Sequence, residues 1–276
     1  GFPVPHTYGL CEDEGVIGRA FFIMEFVAGR VLWDPALPGM TPAQRGEIFD
    51  EMNRVIARLH CVDYAAIGLA DYGKAGNYFE RQIGRWSKQY RASETESIEA
   101  MDKLIDWLPK HIPAGDETSI VHGDYRLDNL IFHPSEPRIL AILDWELSTL
   151  GHPLCDVAYN CLGYHLEEPP HGFARVDFAA LGIPTEKDYV GAYCRRTGRE
   201  SIPHWNYYLA FSLFRLAAIA QGHLDDRAVV DRRVAGLVRL DVGQARFHAA
   251  RNRVVERIGH ADAVRQVEGH DGLVVD

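Results

Sequence analysis

Ile120-Val121-His122-Gly123-Asp124-Tyr125-Arg126-Leu127-Asp128-Asn129-Leu130-Ile131-Phe132, answered by Ile139-Leu140-Ala141-Ile142-Leu143-Asp144-Trp145-Glu146, decides how the chain is read. Two short apolar runs flank the turn His133-Pro134-Ser135-Glu136-Pro137, the pattern of two strands in a hairpin. Asp124 and Asn129 come just before one strand and Asp144 just after its partner, so strand pairing brings three oxygen-bearing side chains to one end. A single Asp or Asn there would be an ordinary turn residue, bonding its own backbone. Three together ask for another explanation.

Magnesium supplies one, because it takes hard oxygen donors and completes its shell with water and phosphate oxygens. The four residues between Asp124 and Asn129 are the spacing of a kinase catalytic loop, in which the Asp receives the proton of the acceptor hydroxyl and the Asn holds a metal. Asp144 then stands where kinases carry their second metal-binding Asp.

His122 to Asn129, Leu143 to Glu146, and Gly151-His152-Pro153-Leu154-Cys155-Asp156-Val157-Ala158 together resemble the aminoglycoside phosphotransferase family of kinase-like enzymes. Asp144 to Pro153 and Trp205 to Gly222 are similar, more narrowly, to the phosphotransferase domains associated with acyl-CoA dehydrogenases. The likeness runs from about residue 3 to about residue 222. It implies an α+β, protein-kinase-like fold, with a mostly helical C-terminal lobe built around a catalytic β-hairpin and a truncated N-terminal β lobe. It also implies Mg²⁺ and ATP or GTP as cofactors, with Asp124 catalytic and Asn129 and Asp144 on the metal. His122 and Asp156 would support the loop. Phe21-Phe22-Ile23-Met24-Glu25-Phe26-Val27 resembles the strand and hinge between kinase lobes, so Met24 would line a purine pocket while Glu25 and Val27 offer backbone groups. A plain buried strand is the alternative.

One part of the kinase pattern has no counterpart. A phosphate loop and a strand lysine should precede the hinge, yet no lysine occurs before Lys74. Either the chain is a piece of a longer protein or the protein has lost that lobe. The expected organisation is a lobe remnant and hinge over 1–28, the kinase-like lobe over 29–250, and an appendage over 251–276.

Composition narrows the partners. With 276 residues and 47% hydrophobic content the chain can bury a sizeable core. The longest apolar stretch, Leu209 to Ala220, is broken by Ser212 and Arg215, so no membrane span is expected. A net charge of −10 disfavours nucleic acid. Five scattered cysteines without a Cys-x-x-Cys pair indicate neither disulfides nor zinc and fit a cytoplasmic protein. The acidity lies in the first half: Lys plus Arg against Asp plus Glu is 14 to 24 over residues 1–158, but 11 to 10 over 159–250.

Thr41-Pro42-Ala43-Gln44 is a capping box that starts a helix, with Ile48, Phe49, Met52, Val55, Ile56 and Leu59 on its apolar face and His60, a structural residue, at its end. Further helices are expected over 76–90, 98–111, 185–197, 204–222 and 228–250, with a Pro-rich loop over 167–172. Arg81, Arg85 and Lys88 share a helical face that is either solvated or anion-binding.

The function expected is Mg-dependent transfer of a nucleotide γ-phosphate to the hydroxyl of a small molecule. By the resemblance the acceptor is a hydroxyacyl-CoA, with a functional link to an acyl-CoA dehydrogenase. Arg215, beside the stripe of Trp205, Tyr208, Leu209, Ser212, Leu213, Leu216 and Ala220, is the candidate acceptor contact, helped by Arg232 and Arg233; its alternative is a structural pair with a carboxylate such as Asp156. The rival functions are a nucleotide-binding pseudoenzyme, a kinase for aminoglycosides or other small alcohols, and a phosphatase or nuclease.

Overall fold

The computed structural model describes residues 2–94, 97–166, 172–174 and 176–223. The expected helix over 228–250, most of the Pro-rich loop, Arg232, Arg233 and the segment 251–276 lie outside the described residues.

Two loops are forced side by side by the way four short strands pair. Strand β4 (Ser119–Val121) leads into the loop 122–129, and β5 (Leu130–Phe132) leaves it. β5 pairs antiparallel with β6 (Ile139–Ile142), Leu130 opposite Ile142, and His133 N–H bonds the Arg138 carbonyl to close the expected hairpin at 2.8 Å. The chain leaves β6 through the loop 143–148 and returns along β7 (Thr149–Gly151), which pairs with β4, Val121 opposite Thr149. Each loop thus begins and ends on strands bonded to those of the other. β4 and β7 stand outside the hairpin, as a second two-stranded sheet.

β3 (Arg30–Val31) adds a third strand beside β5. Upstream, β1 (Thr7–Cys11) and β2 (Phe21–Met24) form a separate antiparallel pair joined through the short helix α1 (Glu14–Ile17). Tyr8, Leu10, Phe22, Ile23 and Met24 are exposed on that pair.

Helices build the remainder. α2 (Pro42–His60) starts on the expected capping box, with Thr41 and Gln44 bonding each other's backbone. α3 (Tyr78–Ser93) begins two residues later than expected, because Gly76 and Asn77 both adopt positive φ, +75° and +50°. α4 (Glu99–Trp107), α5 (Pro153–Asn160), α6 (Phe178–Leu181) and α7 (Glu186–Thr197) follow, and α8 (Trp205–His223) runs through the middle of the lobe. Tyr207, Leu209, Phe211, Leu213, Phe214 and Ala218 are all buried, so α8 is apolar around its circumference and packs on both α3 and α5. The stripe expected to face an acceptor is therefore mostly core. No helix among the described residues is long and apolar enough to cross a membrane.

Candidate active site

His122 ties the two loops together through both ring nitrogens. Its Nε2 lies 2.8 Å from the carbonyl oxygen of Leu143, and its Nδ1 accepts the Asp124 N–H at 3.2 Å. Those partners require the neutral tautomer with the proton on Nε2, since a carbonyl cannot donate and a backbone N–H cannot accept. The ring is fully buried, with Trp145 edge-on at 4.7 Å. His122 therefore fixes the spacing between Asp124 and the residue before Asp144.

Asp156, in the first turn of α5, holds the same loop from behind. Its Oδ2 accepts the His122 N–H at 2.5 Å and its Oδ1 the Gly123 N–H at 2.8 Å. His60 approaches Oδ2 at 3.4 Å and shares its other nitrogen with Tyr193 Oη at 2.8 Å. Burial pushes the Asp156 carboxyl up, but His60 and the Gly123 N–H outweigh it and hold the group below the usual carboxylate range. Gly123 has φ +88°, and a Cβ there would stand 2.6 Å from the Leu147 carbonyl oxygen, so glycine is needed for both conformation and space.

Asp124 emerges from this frame with both carboxylate oxygens engaged. Asn129 Nδ2 donates to its Oδ2 at 3.0 Å and to its backbone carbonyl at 2.9 Å, while Arg126 Nε stands 3.2 Å from its Oδ1. Arg126 reaches Asp128 as well, at 3.1 Å. Asp144 follows β6 with φ +63°, a conformation that costs an Asp about 1 kcal/mol or more. Its surface stays open to solvent, yet the protein packed around it raises its carboxyl above the usual range, and the charges of Glu146 and Asp124 raise it further.

Crowded carboxylates beside an amide oxygen suit a hard divalent cation, which would relieve that mutual repulsion. Asn129 turns its NH₂ to Asp124, leaving its oxygen for other partners, and Leu143 N–H bonds the Asn129 carbonyl at 2.9 Å, which keeps Asn129 alongside the start of the Asp144 loop. Among the described residues no three His, Cys, Asp or Glu side chains gather as a self-sufficient metal cage. Asp144 and the Asn129 amide oxygen are the groups that could hold such a cation jointly with phosphate oxygens.

Beside the loop that bears Asp124, with Tyr125 and Arg126 on its wall, opens a recess of about 90 Å³. Phe49, Met52, Leu162, Phe173 and Leu216 give it an apolar lining, Trp33 stands at its exposed edge, and Arg126, Asp128 and Asn160 supply polar groups. Tyr159, also on its wall, has its phenol raised by burial and then by the Asp124 carboxylate, which places that hydroxyl next to the loop's acid.

The structure corrects the expectation for Arg215. This residue is only 4% exposed, donates through Nη2 to the Gly123 carbonyl, and lies over the rings of Tyr159 at 4.9 Å and Trp86 at 5.8 Å. Burial opposes its charge, but Tyr78, Tyr159, Asp124 and Asp156 more than offset that. An acceptor could not reach the guanidinium without unpacking α8, so Arg215 is a support of the loop, and its bonded partner is Gly123 instead of Asp156. Arg81 is likewise taken by the Lys74 carbonyl and Arg85 by the Trp86 ring.

The hinge residues lie apart from this cluster in sequence. β2 ends at Met24, and Glu25 continues its ladder by one bond, its N–H donating to the His6 carbonyl at 2.8 Å. Met24 and Glu25 are exposed and Val27 half-buried. Sequence reasoning missed Arg126, Tyr159 and the recess. Arg126 was recoverable, since a cation two residues after a candidate base and two before another carboxylate has few other neighbours to meet.

The profile of the phosphotransferase enzyme family matches residues 1–193. Acyl-CoA dehydrogenase family member 10 of Mus musculus is 52% identical over 225 residues, which cover 80% of this chain and 21% of that protein. Acyl-CoA dehydrogenase family member 11 of Homo sapiens is 43% identical over 225 residues, with 80% and 29% covered. The chain thus spans less than a third of the length of these curated relatives. A crystal structure from Ralstonia eutropha JMP134, of a protein provisionally assigned as an aminoglycoside phosphotransferase, superposes with TM-score 0.76 at 66% identity, covering 80% of this chain and 68% of that one. An aminoglycoside-3'-phosphotransferase of type VIII (TM-score 0.55, 18% identity, 78% and 74% covered) and a choline kinase of Cryptosporidium parvum (0.54, 15%, 80% and 68%) share the fold. The fold is kinase-like, as expected.

Proposed function

The chain belongs to the phosphotransferase enzyme family, and from that premise we propose that its site moves the γ-phosphoryl group of ATP or GTP to a hydroxyl of a hydroxyacyl thioester of coenzyme A. The observation that carries this reading is Asp124, held between Asn129 and Arg126, with Arg126 itself on the wall of an apolar recess. A recess lined by Phe49, Met52, Leu162 and Phe173 favours an aliphatic arm. The names of the relatives, acyl-CoA dehydrogenase family members, support an acyl-CoA acceptor and a link to that chemistry within a longer protein.

In this reading the acceptor hydroxyl meets Asp124, which orients it and takes its proton as the new oxygen–phosphorus bond forms. The bond from the γ-phosphorus to the β-phosphate oxygen breaks, and the nucleoside diphosphate leaves with that electron pair. Magnesium bound by Asn129 and Asp144 would neutralise phosphate charge during transfer. His122 keeps the two loops at a fixed spacing, and Asp156 and Arg215 keep the loop backbone still, so the reacting groups need little reorganisation. Met24, with the Glu25 carbonyl and the Val27 N–H, receives the purine.

The experiment is ADP release by the full-length protein with Mg-ATP, comparing 4-hydroxyacyl-CoA thioesters of increasing chain length with kanamycin. Turnover should rise as the acyl arm lengthens enough to fill the recess. Turnover of kanamycin alone would overturn the acceptor assignment, and ADP release with neither, together with a thermal melt unmoved by millimolar Mg-nucleotide, would overturn phosphotransfer itself.

A further inference from the structure

Arg126 has no place in the expected catalytic set, yet its position is the most charged in the site. Its guanidinium stands 3.2 Å from one oxygen of Asp124 and 3.1 Å from one of Asp128, and the residue also lines the recess. Among the described residues on the recess wall it is the cation. Arg215, the other arginine nearby, is turned away onto the Gly123 carbonyl. Four carboxylates, Asp124, Asp128, Asp144 and Glu146, otherwise give this corner a negative field that opposes the charge building up on the phosphoryl oxygens during transfer.

We propose that Arg126 is a catalytic cation for the reaction assigned above: held by Asp124 and Asp128 in the resting site, it turns its fork to the phosphoryl oxygens as the group passes to the acceptor. The inference rests on the phosphotransfer reading. Three features support it. A cation already touching the group that receives the acceptor's proton needs only a side-chain rotation to reach oxygen presented at the same point. The planar guanidinium, which meets Asp124 through Nε and Asp128 through Nη2, can on turning bond two oxygens of a phosphoryl group at once. Asp128 gives the side chain a second anchor on the recess side, so it is aimed before substrate arrives, the condition under which an electrostatic contact accelerates a reaction.

No covalent intermediate on the protein is involved. The proton passes to Asp124, the phosphoryl to the acceptor oxygen, and Arg126 keeps its own protons throughout.

The test compares full-length wild type, Arg126→Lys and Arg126→Met in three measurements: thermal melt, Mg-ATP affinity, and binding of Mg-ADP with aluminium fluoride, which mimics the phosphoryl in transfer. Acceptor-dependent ADP release is measured beside them. Arg126→Met should melt like wild type and bind Mg-ATP unchanged, while its turnover falls about 100-fold and the tightening of ADP by aluminium fluoride is lost; Lys should restore part of both. Equal weakening of ATP and of the transition-state mimic, or turnover close to wild type, would overturn the role. Unfolding of both variants would make Arg126 a structural tie and overturn it too. If wild type itself binds no Mg-nucleotide, the phosphotransfer reading fails first, which is a different outcome from failure of the variants alone.

Discussion

Removing the Asp156 carboxylate should cost this lobe a large share of its stability. The side chain is 1% exposed and accepts from two backbone N–H groups, those of His122 and Gly123, with His60 beside it. In Asp156→Ala both N–H groups stay buried with no acceptor, each at a cost of about 1–3 kcal/mol, and His60 keeps only Tyr193 as a partner; relief of the buried charge offsets part of this. The net expectation is about 3–5 kcal/mol, against about 5–15 kcal/mol for a whole domain. Urea unfolding of wild type and variant measures it as a lower midpoint at unchanged slope. The pH dependence has a fixed sign. Because the folded carboxyl is held below its unfolded value of about 3.9, its contribution is fully present above that pH and is lost as pH falls through the lowered folded value. The gap between wild type and variant should therefore be constant near neutrality and close in strong acid. A variant within about 1 kcal/mol of wild type, or a gap that widens on acidification, would refute the account of how the loop is held.

Gly123→Ala forces a Cβ into the Leu147 carbonyl at φ +88° and should cost more than about 2 kcal/mol or displace Asp124, read as a lower melting temperature or lost turnover. Asp124→Asn should keep Mg-nucleotide affinity while turnover drops by about 100-fold or more, whereas Asp144→Asn should raise the Mg²⁺ concentration needed for half-maximal nucleotide binding; matching defects by calorimetric titration would contradict the two roles. Trp33→Ala, at a residue 51% exposed on the edge of the recess, should leave the melt unchanged and raise KM for long acyl acceptors about tenfold, with short ones little affected.

The hairpin, its turn and the helix from Thr41 were legible because each is written in local pattern: alternating or continuous apolar runs, a Pro-rich turn, a capping box. The placement of Asp124, Asn129 and Asp144 followed from strand pairing alone. β4 and β7 were not legible, since three residues carry no period and their pairing spans some thirty positions. Arg215 was misjudged for a related reason. A lone arginine on an apolar helix looks like a ligand group, and only tertiary packing shows that a loop carbonyl and two aromatic rings receive it. The recess was invisible because its walls come from α2, α5, the catalytic loop and α8 together.

Those same long-range ties explain how a side chain on an irregular loop can be so well placed. The loop bearing Asp124 has little regular structure of its own beyond a three-residue 3₁₀ turn, Leu127–Asn129. Its backbone is instead bonded to α5 through Asp156 and to α8 through Arg215, and Tyr125 Oη reaches the Met52 carbonyl in α2 at 3.0 Å. To open the loop locally, all three attachments must break, leaving a buried carboxylate and a buried guanidinium unpaired at once. Each such loss costs several kcal/mol, so the loop should not open on its own below the stability of the helical core. Hydrogen exchange at the amides of His122 and Gly123 should accordingly match the slowest core amides of α5 and α8; faster, independent exchange there would show that the loop moves apart from the helices that hold it.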